Sequence, residues 1–144
     1  IVKPQKLYLG KMDYQQLNVL KAMVKNEMFA LDVIGVPTQR ASSGLALSSR
    51  NALLSKEGRV RASNIYEALQ CAKASALHGE GLDVACAKGK AVLQAAEGVT
   101  EEYFLIANRQ TMSINEVGNP EEWVVFCAAH VEGVRLIDNV EVFD

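Results

Sequence analysis

The sequence predicts an α/β chain in two parts. Residues 1–38 read as a strand, a helix and a second strand, and residues 39–144 as a small α+β domain with two helices on a three-stranded antiparallel sheet. Three observations carry that expectation. Two short apolar runs, KLYL and LDVIGVP, flank a segment whose apolar residues recur at helical spacing. Two long helical stretches then follow one another, and every remaining strand-like segment comes after them. Between the blocks, Thr38 to Asn51 is rich in Ser and Gly, as a connecting loop should be.

In the first part, Lys6 to Leu9 is a short strand that Gly10 breaks. Asp13 stands at a helix N-cap, with Gln16 three residues on as a capping-box-like partner. Leu17, Leu20, Met23 and Val24 form the apolar stripe of a helix ending near Asn26. Leu31 to Pro37, branched and closed by proline, has the signature of a buried strand. Strand, helix and strand make one crossover unit with a parallel pair whose two faces want cover. Two strands supply only part of such a sheet, so further chain is expected before Ile1.

In the second part, Ser55 caps a long helix with Val60, Ile65, Leu69 and Ala72 along one face, and Gly79 and Gly81 end it. Asp83 caps another helix through about Ala96, stopped by Gly98. Tyr103 to Ala107 and Trp123 to Ala129 read as strands, separated by a turn at Gly118, Asn119 and Pro120. A turn at Gly133 introduces the last strand.

Composition removes several function classes. With 144 residues, 49% hydrophobic and 22% charged, the chain can bury a core. A net charge of -2 without a block of like charges gives no footprint for nucleic acid or a membrane surface, and neither is expected as a partner. Cys71, Cys86 and Cys127 are odd in number and lack CxxC spacing, which predicts buried free thiols of a reducing cytosol, with no disulfide or metal framework. The apolar run Val124 to Ala129 is too short to span a bilayer, so a soluble cytoplasmic protein is expected.

The stretch GLALSSRN places Ser48, Ser49 and Arg50 side by side after small apolar residues. They are either solvated loop residues or a polyphosphate clamp, in which hydroxyls and backbone N–H groups hold phosphate oxygens and the arginine fork neutralises them. Gly10, at a strand end before a helix start, is where open α/β sheets receive anionic or nucleotide ligands. Asp13 is there either a plain cap or a ribose partner, and Gln16 either a surface residue or a substrate donor.

LYLGKMDYQQL, IGVPTQR, GLALSSRNALLS and VRLIDN, in this order and at these spacings, resemble the C-terminal half of the pantothenate synthetases. These are the pantoate-beta-alanine ligases of the cytidylyltransferase-like superfamily. The resemblance runs from Pro4 to Val142. It implies that residues 1–38 end a Rossmann-like nucleotide-binding domain and that 39–144 form its C-terminal lid domain. It implies a ligation in which ATP and pantoate give pantoyl adenylate with magnesium, and beta-alanine then displaces AMP. Carried over by motif, Gly10 lies against the nucleotide and Asp13 meets the ribose, while Lys11 and Met12 stand at the phosphate-binding position. Gln16 bonds pantoate, Gln39 and Leu47 contact the base through their main chains, and Ser48, Ser49 and Arg50 take the phosphates as the reaction's catalytic groups. The full-length protein would be a homodimer.

This chain departs from the family pattern in three places. Where the family reads GEKD, the chain reads Gly10, Lys11, Met12, Asp13, so a thioether replaces the phosphate-binding lysine and a lysine comes one place earlier. The acidic pair after PTxR is replaced by Ala41, Ser42 and Ser43. The HxGH motif is absent from these residues, and His78 and His130 read as ordinary histidines, so the chain by itself is expected to be inactive. The alternatives are a catalytically silent homologue that binds nucleotide or a partner, and another adenylate-forming ligase.

Overall fold

β1 (Lys6–Gly10) and β2 (Asp32–Val36) pair in parallel, with Lys6 opposite Asp32 and Gly10 opposite Val36. A 3-10 turn, Lys11–Asp13, leads from β1 into α1 (Tyr14–Asn26). These elements form the first of two compact units, Ile1–Gln39, and the rest belongs to the second, Arg40–Asp144. The structure is a computed structural model, and it describes residues 2–115 and 117–143.

In the first unit α1 buries Tyr14, Leu17 and Val24, while Leu20 is only partly covered and Met23 faces solvent. Leu17 fits because Gly35 of β2 has no side chain: a Cβ there would stand 2.7 Å from Leu17 Cδ2. Three local expectations are corrected. Gly10 continues β1 instead of breaking it, because its φ of -67° and ψ of 134° are ordinary extended values. Asp13 occupies the N-cap of α1 without a side-chain cap bond, since the 3-10 turn leaves it at φ -89° and ψ 60°, outside the extended geometry from which a cap reaches back. Neither strand holds a fully buried residue, so the buried-strand reading of β2 fails within this unit, where one helix packs on the pair.

The second unit lays α2 (Lys56–Leu77) and α3 (Leu82–Ala95) on an antiparallel sheet ordered β3 (Val99–Asn108), β4 (Trp123–Val131), β5 (Val134–Glu141). Odd-numbered residues of β4, from Trp123 to Val131, join Leu69 of α2, Leu93 of α3, Phe104 and Val140 in one core. Ser55 caps α2 as expected, its Oγ accepting from the Gly58 N–H at 2.9 Å. Val60, in contrast, is exposed, because the stripe that meets the sheet and α3 runs through Gly58, Ala62, Ile65, Leu69, Ala72 and Ala76. Gly81, not Asp83, is the N-cap of α3, and Asp83 lies in its first turn, where a carboxylate complements the helix dipole. β3 and β4 run longer than their apolar cores suggested, with a bulge at Glu101/Tyr103. All three cysteines are free, but only Cys127 is fully buried, with Cys71 and Cys86 half-buried. Among the described residues, no helix is long and apolar enough to cross a membrane.

β4 and β5 are joined by the two residues Glu132 and Gly133, both at positive φ, 52° and 77°. That backbone matches the right-handed twist of the strands and suits Gly, while Glu132 is held in it by a partner. Its carboxylate accepts from Ser55 Oγ at 2.6 Å and from the Ser55 N–H at 2.9 Å, tying the hairpin tip to the start of α2. Those bonds, the side-chain one first, hold the Glu132 carboxyl below its ordinary value of 4.5. A lowered carboxyl pKa adds stability above the unfolded value and loses it as pH falls through the folded one. The thermal midpoint of Glu132→Gln should therefore trail wild type most at pH 7 and converge on it as pH drops below 4.5. A gap that stays constant down to pH 3 would show that the charge is idle.

Gly89, mid-way along α3, is fully buried. A Cβ there would run into the Phe104 ring and come within 3.0 Å of the Ala68 carbonyl oxygen. In a free helix Gly→Ala gains about 1 kcal/mol. Here overpacking of about 1–3 kcal/mol opposes it, so Gly89→Ala should lower stability in denaturant melts, and a raised midpoint would sink this account.

Candidate functional site

The second unit opens with a loop built from the inside. Arg40 is largely buried, its side chain 18% exposed, and it meets a carboxylate, Asp138 of β5, that is 4% exposed. The contact is a fork: Nη1 donates to Asp138 Oδ2 at 2.6 Å and Nη2 to Oδ1 at 2.9 Å. The same guanidinium donates to the Gly44 carbonyl at 3.1 Å and the Asn139 carbonyl at 3.2 Å, and lies 4.0 Å from the centre of the Tyr66 ring on α2. Burial pushes the Asp138 carboxyl up, while Arg40 and the Asn139 N–H pull it down. With a bidentate guanidinium against it, the carboxylate form is the one the geometry accommodates.

From this anchor the chain turns back on itself. Ala41 N–H donates to the Leu45 carbonyl, Gly44 N–H to the Ala41 carbonyl, and Arg40 bridges Ala46 as a short antiparallel pair. Gly44 sits at φ +87° against the Tyr66 ring, a place that excludes a Cβ on both counts. Leu45 and Ala46 are buried and Leu47 is exposed. Ser48 then caps a 3-10 turn, Ser49–Leu53, its Oγ accepting from the Arg50 N–H at 3.2 Å. The SSR stretch is thus the start of a capped turn within the segment that the sequence reads as loop.

Ser48 is half-buried, and Ser49 and Arg50 are exposed. Arg50 reaches the Arg135 carbonyl on the edge strand β5 with one long bond of 3.4 Å. Asn51 closes the turn from behind: its Nδ2 donates to the Ala46 carbonyl at 2.9 Å and its N–H to the Ser48 carbonyl at 3.0 Å. Asn51 Oδ1 is buried and has no hydrogen-bond partner among the described residues. Two hydroxyls and a guanidinium therefore stand together on one turn whose backbone is fixed beneath them.

The other candidates belong to the first unit. Gly10 ends β1, and a Cβ there would meet nothing within 4 Å, so the fold itself does not demand glycine. Lys11 and Met12 are partly covered, Asp13, Gln16 and Gln39 exposed. The stem of Lys11 lies over β2, its Cγ 3.4 Å from where a Cβ of Gly35 would stand. Of the two histidines, His78 has its Nδ1 2.6 Å from the Ala74 carbonyl, and His130, on β4 opposite Arg135, the residue whose carbonyl Arg50 reaches, has its Nε2 3.1 Å from Glu102 Oε2. Local sequence patterns point to no role for Arg40, Tyr66 or Asn51. Asp138 was the one with a local signal, a carboxylate inside the otherwise apolar strand RLIDNV.

Comparison with known proteins bears on both units. A family model described as pantoate-beta-alanine ligase matches residues 1–141. A pantothenate synthetase of Thermus thermophilus is 38% identical over 147 residues, which cover 99% of this chain and 51% of that protein. The pantothenate synthetase of Ectopseudomonas mendocina is 41% identical over 143 residues, covering 99% and 50%. The crystal structure of a T. thermophilus pantothenate synthetase superposes with a TM-score of 0.92 at 37% identity, over 99% of this chain and 51% of that one. A pantoate-beta-alanine ligase from Francisella tularensis, complexed with beta-gamma ATP and beta-alanine, gives a TM-score of 0.65 at 33% identity, over 97% of this chain and 44% of that one. The chain spans about half the length of the curated relatives it matches.

Proposed function

The chain belongs to the pantoate-beta-alanine ligase family, and from that premise we propose that it serves the ATP-dependent condensation of pantoate with beta-alanine through a pantoyl adenylate. A carboxylate oxygen of pantoate attacks the α-phosphorus of ATP, and the bond to the bridging oxygen breaks to release pyrophosphate. The amine of beta-alanine then attacks the acyl carbon, AMP leaves, and the amine proton passes to solvent. The amine is the only nucleophile that the second step needs. The protein's part is to orient the reactants and to neutralise phosphate charge.

The observation that carries this reading is the capped turn of half-buried Ser48 and exposed Ser49 and Arg50, on a backbone secured from below. In the proposed roles Ser48, Ser49 and Arg50 take the phosphate oxygens, while Leu47 and Gln39 contact adenine through their main chains. Gly10 allows close approach of the nucleotide, Asp13 meets the ribose and Gln16 pantoate. Lys11 and Met12 stand where the family places its phosphate-binding lysine. Among the described residues no group of three or more His, Cys, Asp or Glu side chains is gathered as a metal would need. Magnesium in this reading arrives on the triphosphate oxygens as part of the substrate. Met12 favours a second reading, a homologue that binds nucleotide without ligating, since a thioether cannot neutralise a phosphate.

One measurement separates the two. In the full protein, Arg50→Ala should slow single-turnover pyrophosphate release by tens to a thousandfold, about 2 to 4 kcal/mol of transition-state stabilisation. Its thermal midpoint should hardly move, because Arg50 is exposed and makes one long bond. Equal rates for mutant and wild type would return the turn to a solvated surface role. The 144 residues by themselves should form no pantothenate, since His78 and His130 are committed to other partners and no histidine pair of the family's kind is present. AMP release from this polypeptide alone, dependent on both pantoate and beta-alanine, would refute that.

A further inference from the structure

We propose that Arg40 is the positioning residue of the Ser48–Arg50 turn, a latch that sets the phosphate-binding groups through the loop between them. The inference rests on the phosphate reading above and names a residue that does not itself touch the nucleotide.

The chain of contacts is continuous. The Arg40 fork holds Asp138 and Asn139 of β5 on one side and the Gly44 carbonyl on the other, with the Tyr66 ring beneath it. That fixes Gly44 to Ala46, which the Arg40–Ala46 bridge and the bond from the Ala41 N–H to the Leu45 carbonyl hold as a tight turn. The Ala46 carbonyl then positions Asn51, and the Asn51 N–H closes the turn on Ser48. Arg50 in turn leans on Arg135, on the same strand as Asp138. Both ends of the loop are thereby referred to β5.

A lysine at position 40 can keep the charge opposite Asp138. It cannot supply the planar fork that serves a carboxylate, two carbonyls and a ring face together. A loop no longer anchored at Gly44 must be ordered anew at each encounter, so the loss falls on the step that needs the phosphate contacts.

The test is a cycle in the full protein: wild type, Arg40→Lys, Arg50→Ala and the double variant, read by single-turnover pyrophosphate release at saturating ATP and by thermal midpoint. Arg40→Lys should slow release at least tenfold in the wild-type background and by a clearly smaller factor in the Arg50→Ala background, because the part of its effect that Arg50 carries is already lost there. A merely structural role lowers the midpoint and costs the same factor in both backgrounds, which overturns the proposal. So does Arg40→Lys at the wild-type rate when Arg50→Ala is slow. No release from wild type, or Arg50→Ala at the wild-type rate, removes the phosphate reading and the latch with it. Should Arg40→Lys fail to fold, Tyr66→Leu, which keeps the ion pair and removes the stacking ring, carries the same cycle with the same two outcomes.

Discussion

A carboxylate buried in a β-sheet must have a partner, and in the second unit the whole approach to the candidate site follows from that requirement. Asp138 lies on the face of β5 that meets the helices, opposite Cys127 of β4. Removing one member of such a pair costs about 3–5 kcal/mol, because the other charge is left buried and alone. Arg40 satisfies it from 98 positions away in the sequence. The two terminal nitrogens that do so also donate to the Gly44 and Asn139 carbonyls, so one desolvated charge anchors the start of the loop from Arg40 to Asn51.

The platform under that loop is made of small residues. Ala62, Ala68, Ala72 and Ala76 of α2 and Ala85 and Gly89 of α3 are buried, which lets the two helices approach each other and the sheet closely. Close approach leaves no slack: Phe104 fills the space that a side chain at Gly89 would need. Close-packed interiors yield little, and Tyr66, on α2, presents its ring 4.0 Å from the Arg40 guanidinium. In the proposed latch, the geometry of the turn is inherited from core packing through one cation.

Charge is partitioned in a way that suits the proposed chemistry. The carboxylates held low, Glu80 by Lys88 and Ser75, Glu102 by Arg135 and His130, Glu132 by Ser55, lie at the surface. Inside, burial acts the other way, and the Cys127 thiol is pushed up to about 12 by its apolar surroundings, with the charges of Asp138 and Glu101 adding to the effect. Such a thiol stays protonated and inert at neutral pH. A ligation whose nucleophiles both belong to the substrates asks nothing of it. What it asks for is cationic and hydroxyl groups at the surface on a fixed backbone, and the turn at Ser48 to Arg50 offers them.

Much of this was legible locally. The Ser55 cap, the helix end at Gly79, the hairpin at Gly133 and the two kinds of sheet follow from chemistry that acts within a few residues, and the candidate phosphate turn was picked out by its own hydroxyls and arginine. The misreadings share a cause. Val60 is apolar and at helical spacing, yet only the placement of α3 and the sheet decides which stripe of α2 is covered, and that stripe is the one through Ala62 and Leu69. Asp83 has the chemistry of a cap, but the chain after Gly79 had already turned into the helix at Gly81. Asp13 has it too, and the preceding 3-10 turn puts its backbone in the wrong geometry. The sequence alone determined the main helices and strands, their order, and the hydroxyls and arginine that make the turn at Ser48 to Arg50 a candidate phosphate site. Tertiary structure alone decided that Arg40 would reach across to Asp138, because which buried charge finds which partner depends on packing between segments that have no local memory of each other.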